Sequence, residues 1–476
     1  MDVVLLSRIQ FAVTVGFHFI FPCLSIGLAW LNVIFLAKHR KSKSEDDLRL
    51  SYFWVNVFCI TFAVGVASGL VMVLQFGSNW SDFTQYAASL FVPPLVAEAT
   101  IAFFLEATFM GVLLWGRGKV SQTLYFVSSI MVAFGATLSA FIIVAVDSFM
   151  QTPAGYIKDA AGHAELLDGK IQLDSFWEAV FNHTTVLRIT HTLIASFIAA
   201  AGLVLGISAW YLLKKKNREF AMKSLRVAIV ILVICSVAQW VVGDLHTKDV
   251  VKNQPLKLAA FEGLFQSEEE ANLLIFGIPD KEKEETNFKI GVPIPGLLSW
   301  LATGNFSGPD SKVLGLTAAM EVENGKNPPD QQITKDEWPP LVLTFFSYRT
   351  MLAFGVFFLL LSLWGLIQMI RKKIENSNVF LRIAMYSIPF GVIAADVGWM
   401  AAEVGRQPWI IQGMMKTSEA VSDKVPGEQV LLSILLFAVL YLIIGAAWVF
   451  LVRRKVDEGP EKISLTGSHK EGGIEA

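Results

Sequence analysis

Long apolar runs alternate with short polar connections along almost the whole chain. Runs of about 20 or more mostly apolar residues are typical of helices that cross a membrane. The pattern therefore predicts an all-α integral membrane protein with about nine transmembrane helices. The predicted spans are approximately 9–37, 51–76, 92–116, 122–149, 185–213, 221–243, 341–370, 378–404 and 429–452.

Lysine and arginine gather in every second connection, and such loops stay on the cytoplasmic side of a membrane. By contrast, the connection 77–91 contains neither lysine nor arginine. This asymmetry predicts an N-terminus outside and a C-terminus in the cytoplasm. The cationic segments are 38–49, 117–119, 214–218, 371–373 and 453–455.

The same pattern divides the chain into four parts. Residues 1–243 hold the first six spans, 244–340 form a long outer loop between the sixth and seventh, and 341–455 hold the last three. The polar tail 456–476 is expected to be disordered in the cytoplasm. A loop of this length is usually functional or partly disordered, and acidic and Asn/Gly/Pro-rich stretches indicate mobility in parts of it.

Composition narrows the class of protein further. Hydrophobic residues make up 54% of the chain and charged residues only 17%, which excludes a soluble domain of this size. A net charge of −2 offers no basic surface for nucleic acid. All three cysteines lie in apolar runs, so disulfides in the loops and a CxxC metal or redox site are excluded.

Two of the seven histidines, His18 and His191, lie well inside apolar spans. A lone buried histidine is more often a structural residue than a ligand, but ionisable groups inside a membrane are rare and usually functional. Neutral imidazole is a common axial ligand of haem iron. Both histidines are therefore candidate haem ligands.

Met351 ends the segment Ser347-Tyr-Arg-Thr-Met351 at the outer end of the seventh span. A methionine in an apolar protein is by default a core filler. Its neighbour Arg349 raises the interest, because a guanidinium there requires an anion. A haem propionate, a lipid phosphate or a carboxylate such as Glu403 would serve equally, and His/Met ligation would suit a low-spin haem.

Glu98 and Glu106 lie eight residues apart in the third span, with Ala102 between them. Two carboxylates spaced along one membrane helix can pass protons stepwise through bound water. The alternative is that both only make hydrogen bonds between packed helices. Three further charged residues could form interhelical ion pairs, and no function is assigned to them: Asp147, Arg382 and Asp396.

The most distinctive stretch is Gly398-Trp-Met-Ala-Ala-Glu-Val-Gly-Arg-Gln-Pro-Trp409. Glu403 sits at the membrane boundary, where an ionisable group costs free energy. The simplest interpretation is an interfacial glutamate paired with Arg406. Trp399 lies one turn before Glu403 on the same helical face, so it could stack near whatever Glu403 binds.

In the outer loop, the segment 253–263 is predicted to form a short helix carrying Lys257 and Glu262. These residues are five apart, about 140° around a helix, so they should not pair with each other. A quinol-oxidising site needs a polar anchor, a base and an apolar surface. This segment could supply all three, although an amphipathic surface helix would look the same.

Taken together, these motifs resemble subunit I of cytochrome bd-type quinol oxidases. The resemblance covers roughly residues 7–410, in order, spacing and membrane depth. Its most specific element is Glu403-Val-Gly-Arg-Gln-Pro-Trp409. The other elements are Ser7-Arg-Ile-Gln-Phe with His18, Glu98 and Glu106, His191-Thr192, Lys257-Leu-Ala-Ala-Phe-Glu262 and Ser347-Tyr-Arg-Thr-Met351.

The resemblance implies roles for these residues. His191 and Met351 would ligate a low-spin haem b, with Arg349 near its propionates. His18 and Glu403 would each ligate one of two high-spin haems, a haem b and a haem d, with another haem b replacing haem d in some relatives. The remaining implied roles are the quinol site for Lys257 and Glu262, the haem pair and its proton supply for Glu98 and Glu106, a place between haems for Trp399, and cofactor binding for Arg406.

The resemblance also implies an activity and a setting. Quinol would be oxidised at the outer face and O2 reduced to water, generating proton motive force without a pump. The expected partners are a second membrane subunit, a small single-helix subunit and the lipid of a bacterial cytoplasmic membrane. Alternatives are a haem b subunit that only transfers electrons, which leaves Glu403 unexplained, and a proton-coupled transporter, which leaves the His/Met placement unexplained.

Overall fold

The structure, a computed structural model, describes residues 2–160 and 162–461. Within these residues, eight helices are long and apolar enough to cross a membrane, and a bent pair of helices makes a ninth candidate. Three small two-stranded antiparallel sheets lie in the connections. The predicted all-α membrane fold is confirmed, whereas its orientation stays a prediction.

The helices and strands are numbered in chain order. The helices are α1 (Val3–Ser42), α2 (Glu45–Gly77), α3 (Ser81–Tyr86), α4 (Ala88–Ala97), α5 (Phe104–Trp115), α6 (Gln122–Gln151), α7 (Phe176–Val180), α8 (Thr185–Leu213), α9 (Arg218–Asn253), α10 (Pro255–Glu262), α11 (Leu297–Thr303), α12 (Leu316–Asn324), α13 (Leu341–Ile370), α14 (Asn378–Tyr386), α15 (Phe390–Val404) and α16 (Gly427–Glu458). The strands are β1 (Leu166–Leu167), β2 (Lys170–Ile171), β3 (Leu274–Asp280), β4 (Glu285–Gly291), β5 (Trp409–Ile411) and β6 (Met415–Lys416).

Two of the predicted spans are not simple α-helices. In the third span, a π-helical segment, Glu98–Phe103, joins α4 to α5. In the eighth, α14 and α15 meet at a bend of 42°. Pro389 stands at that break, and a proline there supplies no N–H to the preceding turn.

Helix α8 is central to the bundle, packing against α1, α6, α9, α14 and α15. Glycines on its neighbours allow close approach of the backbones. A Cβ added at Gly27 of α1 would lie 2.4 Å from the Ser196 carbonyl oxygen, and one at Gly391 of α15 would lie 2.6 Å from the Ala199 Cα. Such contacts are a main source of packing energy between membrane helices. They fix the helix that carries His191.

The outer loop is a folded cap rather than an open connection. Helix α9 continues to Asn253, ten residues beyond the predicted end of its span at 243. The short helix predicted at 253–263 is confirmed as α10. The acidic run 280–285 closes the β3–β4 hairpin, and α12 packs on α10.

The last spanning helix extends past its predicted end. Helix α16 reaches Glu458, although the predicted tail begins at 456. Glu461 then pairs with Lys455 at 2.9 Å and with Arg117 at 3.7 Å. The rest of the tail predicted to be disordered, 462–476, lies outside the described residues.

Candidate functional site

An apolar cavity of about 320 Å³ lies where the ends of α8, α9, α13 and α15 meet α10. Residues predicted from separate parts of the sequence share its wall. The structure thus brings the His/Met pair next to the charged residues of the outer loop. The predicted residues that line it are His191, Met351, Trp399, Lys257 and Glu262.

His191 has one side-chain hydrogen bond and an edge-on ring contact with His246, at 5.7 Å between ring centroids. Its Nε2 lies 3.0 Å from the Nε2 of Gln239 on α9, and its buried Nδ1 has no hydrogen-bond partner. An amide nitrogen can only donate, so the His191 Nε2 carries a lone pair. Nε2 is therefore the atom that an iron would bind.

Met351 faces the same cavity across a glycine. A Cβ added at Gly398 would lie 2.8 Å from the Met351 Sδ, and one at Gly243 would lie 3.8 Å from the His191 Cε1. An added Cβ would therefore clash with the Met351 sulfur at Gly398, whereas at Gly243 it would only touch the His191 ring. An imidazole nitrogen and a thioether sulfur on one apolar, glycine-lined cavity are suitable donors for haem iron, so His191 and Met351 would be the residues that hold a haem here.

Trp399 connects this cavity to α1. Its ring stacks on Phe19, with ring centroids 5.6 Å apart. Phe19 also lines the cavity and is the chain neighbour of His18. Trp399 therefore lies between the cavity and the helix that carries the other membrane histidine.

His18 is oriented by α2. Its Nδ1 lies 2.9 Å from the Ser68 Oγ, whose own hydrogen is directed to the backbone carbonyls of Val64 and Gly65. Ser68 must then accept from Nδ1–H, so the His18 Nε2 is left with the lone pair. A hydrogen bond of this kind from the far ring nitrogen is typical of metal-ligating histidines.

Glu403 pairs with Arg406, as the simplest interpretation of the sequence predicts. Its Oε1 also accepts from the Gln151 Nε2 at 2.8 Å. Arg406 is buried, and its NH1 lies 3.6 Å from the Asp147 Oδ1. One guanidinium thus compensates two carboxylates at the ends of α6 and α15.

The other two predicted ion-pair residues behave differently. Arg382 is exposed, and no ion pair joins it to any described residue. Asp396 is half-buried, and its Oδ1 has no hydrogen-bond partner among the described residues. The prediction of interhelical ion pairs is therefore wrong for both, because their helices bring no opposite charge within reach.

Lys257 and Glu262 have different partners, as their angular separation on α10 predicts. The Lys257 Nζ donates to the Gln151 Oε1 at 2.8 Å. Glu262 forms a buried two-point ion pair with Arg349 of α13. The anion next to Arg349 is thus a protein carboxylate.

Burial and the nearby Arg188 guanidinium hold the pKa of Lys257 well below its ordinary value. A neutral amine is a proton acceptor, which an ammonium is not. The cavity therefore contains a base at its outer end.

The polar side chains around Glu403 and Lys257 form one connected cluster, which we call the outer network. Gln151 is its centre, because its amide joins Glu403 to Lys257 and also accepts from Gln254 at 3.0 Å. The outer network consists of Asp147, Gln151, Arg188, Gln254, Lys257, Glu403 and Arg406.

Glu98 and Glu106, the carboxylate pair, lie away from the cavity and face α6. The Glu98 Oε1 accepts from the Ser139 Oγ at 2.8 Å. A Cβ added at Gly135, one turn earlier on α6, would lie 2.6 Å from the Glu106 Cγ. The two carboxylates therefore share one helix interface, and Glu106 is buried in it.

Sequence reasoning missed the amides of this site. Gln239 lies inside a predicted apolar span and Gln151 just beyond another. An amide in a membrane helix needs a polar partner, and that signal was available. Gln254 lies in the predicted loop helix segment, where a glutamine gives no such signal.

Comparison with known proteins gives a consistent picture. A family model described as cytochrome bd terminal oxidase subunit I matches residues 6–460. The chain is 35% identical over 462 residues to cytochrome bd ubiquinol oxidase subunit 1 of Bacillus subtilis (strain 168), covering 97% of this chain and 95% of that one. It is 31% identical over 508 residues to cytochrome bd-II ubiquinol oxidase subunit 1 of Escherichia coli (strain K12), covering 96% and 97%.

The fold has a solved counterpart. The structure of the bd oxidase from Geobacillus thermodenitrificans matches with a TM-score of 0.84 and 31% sequence identity. The match covers 96% of this chain and 99% of that one.

Proposed function

Because the chain belongs to the cytochrome bd terminal oxidase subunit I family, we propose that it is the haem-bearing subunit of a terminal quinol oxidase that reduces O2 to water. The observation that carries the proposal is the shared cavity. His191 and Met351 line it together with Lys257 and Glu262. Two candidate haem ligands thus lie beside a candidate base for quinol oxidation.

Four side chains are assigned to haem iron in this proposal. His191 and Met351 hold a low-spin haem b, while His18 and Glu403 each hold one of two high-spin haems, a haem b and either a haem d or a third haem b. When bound, the haems carry electrons from quinol to O2. The hydrogen bond from His18 to Ser68 and the partners of Glu403 keep each donor atom in position.

Oxidation of one quinol to quinone releases two protons and two electrons, so two quinols supply the four electrons that turn one O2 into two waters. The neutral amine of Lys257 accepts a quinol proton. The ion pair between Glu262 and Arg349 fixes the end of α10 against α13. The apolar lining excludes water and receives the quinol ring.

Protons for water formation come from the cytoplasmic side in this proposal. Glu106 and Glu98 supply them along the interface between α5 and α6. Quinol protons leave outside while water protons enter from inside, so charge is separated across the membrane without a pump. This direction relies on the predicted orientation, with the outer loop outside.

The complex contains more than this chain. We propose a second membrane subunit and a small single-helix subunit in a bacterial cytoplasmic membrane. Helix α16 supports this proposal, because only 11% of its most apolar stretch is buried within the chain. Its leucines and isoleucines are available to lipid or to a partner helix.

The test is a dithionite-reduced minus oxidised visible spectrum of the purified complex, with and without carbon monoxide, combined with quinol-dependent oxygen consumption. Haem bands that respond to carbon monoxide together with oxygen consumption are expected. A red chlorin-type band identifies haem d. Haem bands without oxygen consumption would favour the electron-transfer subunit, and a spectrum without haem would favour the transporter.

A further inference from the structure

A second buried carboxylate lies outside the membrane, on the far side of α10 from the cavity. Glu323 of α12 is only 4% exposed. Its Oε1 accepts from the Leu256 backbone N–H at 3.1 Å, and its Oε2 accepts from the Gln412 Nε2 at 2.9 Å. It thus binds the chain neighbour of Lys257 directly and a loop after α15 through a side chain.

Gln412 links this carboxylate to the outer network. The Gln254 Nε2 donates to the Gln412 Oε1 at 3.3 Å, while the Gln254 Oε1 accepts from the Lys257 Nζ at 3.4 Å. The Arg188 guanidinium donates to the same Gln254 oxygen at 3.4 Å. Every donor in the row from Lys257 to Glu323 therefore points towards Glu323.

That common direction depends on the ionised carboxylate. An ionised carboxylate only accepts, so Gln412 must present its nitrogen to Glu323 and its oxygen to Gln254. Gln254 is then oriented to accept from Lys257. A protonated Glu323 can donate instead, which allows Gln412 to turn and releases the rest of the row.

We propose that Glu323 is a positioning residue for quinol oxidation, which holds Lys257 at the cavity through Gln412 and Gln254 only while its carboxylate is ionised. The inference rests on the proposed function, in which Lys257 accepts a quinol proton. It adds a residue more than sixty positions away in the sequence to the same site.

The charges around Glu323 place this switch in the neutral range. Lys326, just past the end of α12, and Lys257 on α10 favour the ionised form, as do its two hydrogen bonds. Burial opposes them with a larger effect and raises the pKa of Glu323 to about 7. The carboxylate is thus ionised above about pH 7, where the row is ordered, and neutral below it, where the row is released.

The experiment measures KM and kcat for quinol with the purified complex, across the pH range on either side of 7. For the unaltered protein, KM is expected to fall as the pH rises through about 7. Glu323→Gln should remove that step and leave KM above pH 7 roughly three- to tenfold higher, the equivalent of one hydrogen bond. Glu321→Gln, an exposed glutamate on the same helix, is the matched control and should keep the step.

A second variant keeps Glu323 and cuts the row. Gln412→Leu should also lose the pH-dependent step in KM, with the haem spectrum unchanged in both variants. If Glu323→Gln does not assemble, Gln412→Leu decides alone. A KM raised equally at every pH with the step retained, or an unchanged KM, overturns the inference. Absence of quinol oxidation in the unaltered protein would instead overturn the proposed function, and the inference with it.

Discussion

The charged side chains around Glu403 share several hydrogen bonds and ion pairs. Among the described residues, the two glutamates of the carboxylate pair in the third span have, in total, a single hydrogen bond, which comes from α6. Arg406 alone contacts Glu403 and Asp147, and Gln151 joins Glu403 to Lys257. By contrast, within the part of the chain that the structure describes, Glu98 has a hydrogen bond only from Ser139, and Glu106 has none.

The difference suits two tasks. A network of shared hydrogen bonds and ion pairs fixes the position of its members, because moving one breaks several contacts. A carboxylate with few contacts can gain or lose a proton with little rearrangement. The outer network is therefore suited to holding geometry, and the carboxylate pair is suited to the proton exchange that we propose for it. Four variants test this comparison.

Arg406→Leu should have the largest effect, with loss of quinol-dependent oxygen consumption. It leaves the buried Glu403 and Asp147 without their common cation, and breaking a buried ion pair costs about 3–5 kcal/mol. Thermal unfolding measures the loss of stability, and haem content measures the loss of bound haem. Arg453→Leu is the control, because its ion pair with Asp457 is exposed and contributes about 0–1 kcal/mol. Equal unfolding temperatures for the two variants would contradict a geometric role for the network.

Glu106→Gln should reduce oxygen consumption by roughly 10²-fold, because it removes a proton-transfer group. The low-spin haem spectrum from His191 ligation should be unchanged, since Glu106 lies away from the cavity. Glu428→Gln, an exposed glutamate at the start of α16, should have normal turnover. Near-normal turnover in Glu106→Gln would remove this residue from the proton path.

Gln151→Leu should raise KM for quinol about tenfold. It leaves the Lys257 amine and a Glu403 oxygen without their shared partner, at a cost of about 1–3 kcal/mol. Gln122→Leu, at the exposed start of the same helix, is the control. Steady-state kinetics at fixed pH make the measurement, and an unaltered KM would show that the bridge does not position Lys257.

Ser139→Ala should have the smallest effect, slowing oxygen consumption about fivefold or less, because one hydrogen bond contributes about 0.5–1.5 kcal/mol. Ser128→Ala, on the same helix, removes only a bond to the Leu124 carbonyl and should change nothing. A loss as large as that in Glu106→Gln would mean that the carboxylate pair depends on fixed geometry after all.

The spans and the loop helix could be predicted because each depends on local sequence. A membrane requires long apolar helices, and the short apolar–charged segment around Lys257 has helical character of its own. His191 and Met351 could be singled out as polar or donor residues at membrane depth. Their common cavity could not, since it depends on the crossing of α8, α13 and α15.

The rest of the site depends on contacts between distant segments. Glu323 lies in a polar loop where a glutamate is ordinary, and only the packing of α12 on α10 buries it. Arg349 required an anion, but the sequence could not choose among a propionate, a lipid phosphate and a carboxylate such as Glu403, and the partner in the structure is Glu262. Asp396 and Arg382 failed as ion pairs for the same reason, because a charge in the sequence does not say which helix will face it.

The π-helical segment Glu98–Phe103 sets the phase of the carboxylate pair. Eight residues of uninterrupted α-helix separate two side chains by about 80°, but a π turn accommodates one extra residue, so the separation becomes that of seven residues, about 20°. In the angle around its helix axis, the third span therefore behaves as if it were one residue shorter. Deleting a single residue such as Thr100 would restore a regular α-helix and keep Glu98 about 20° from Glu106, because seven residues of α-helix would then separate them. The spacing of the two glutamates would change by one position in the sequence, while their shared interface with α6 would be kept.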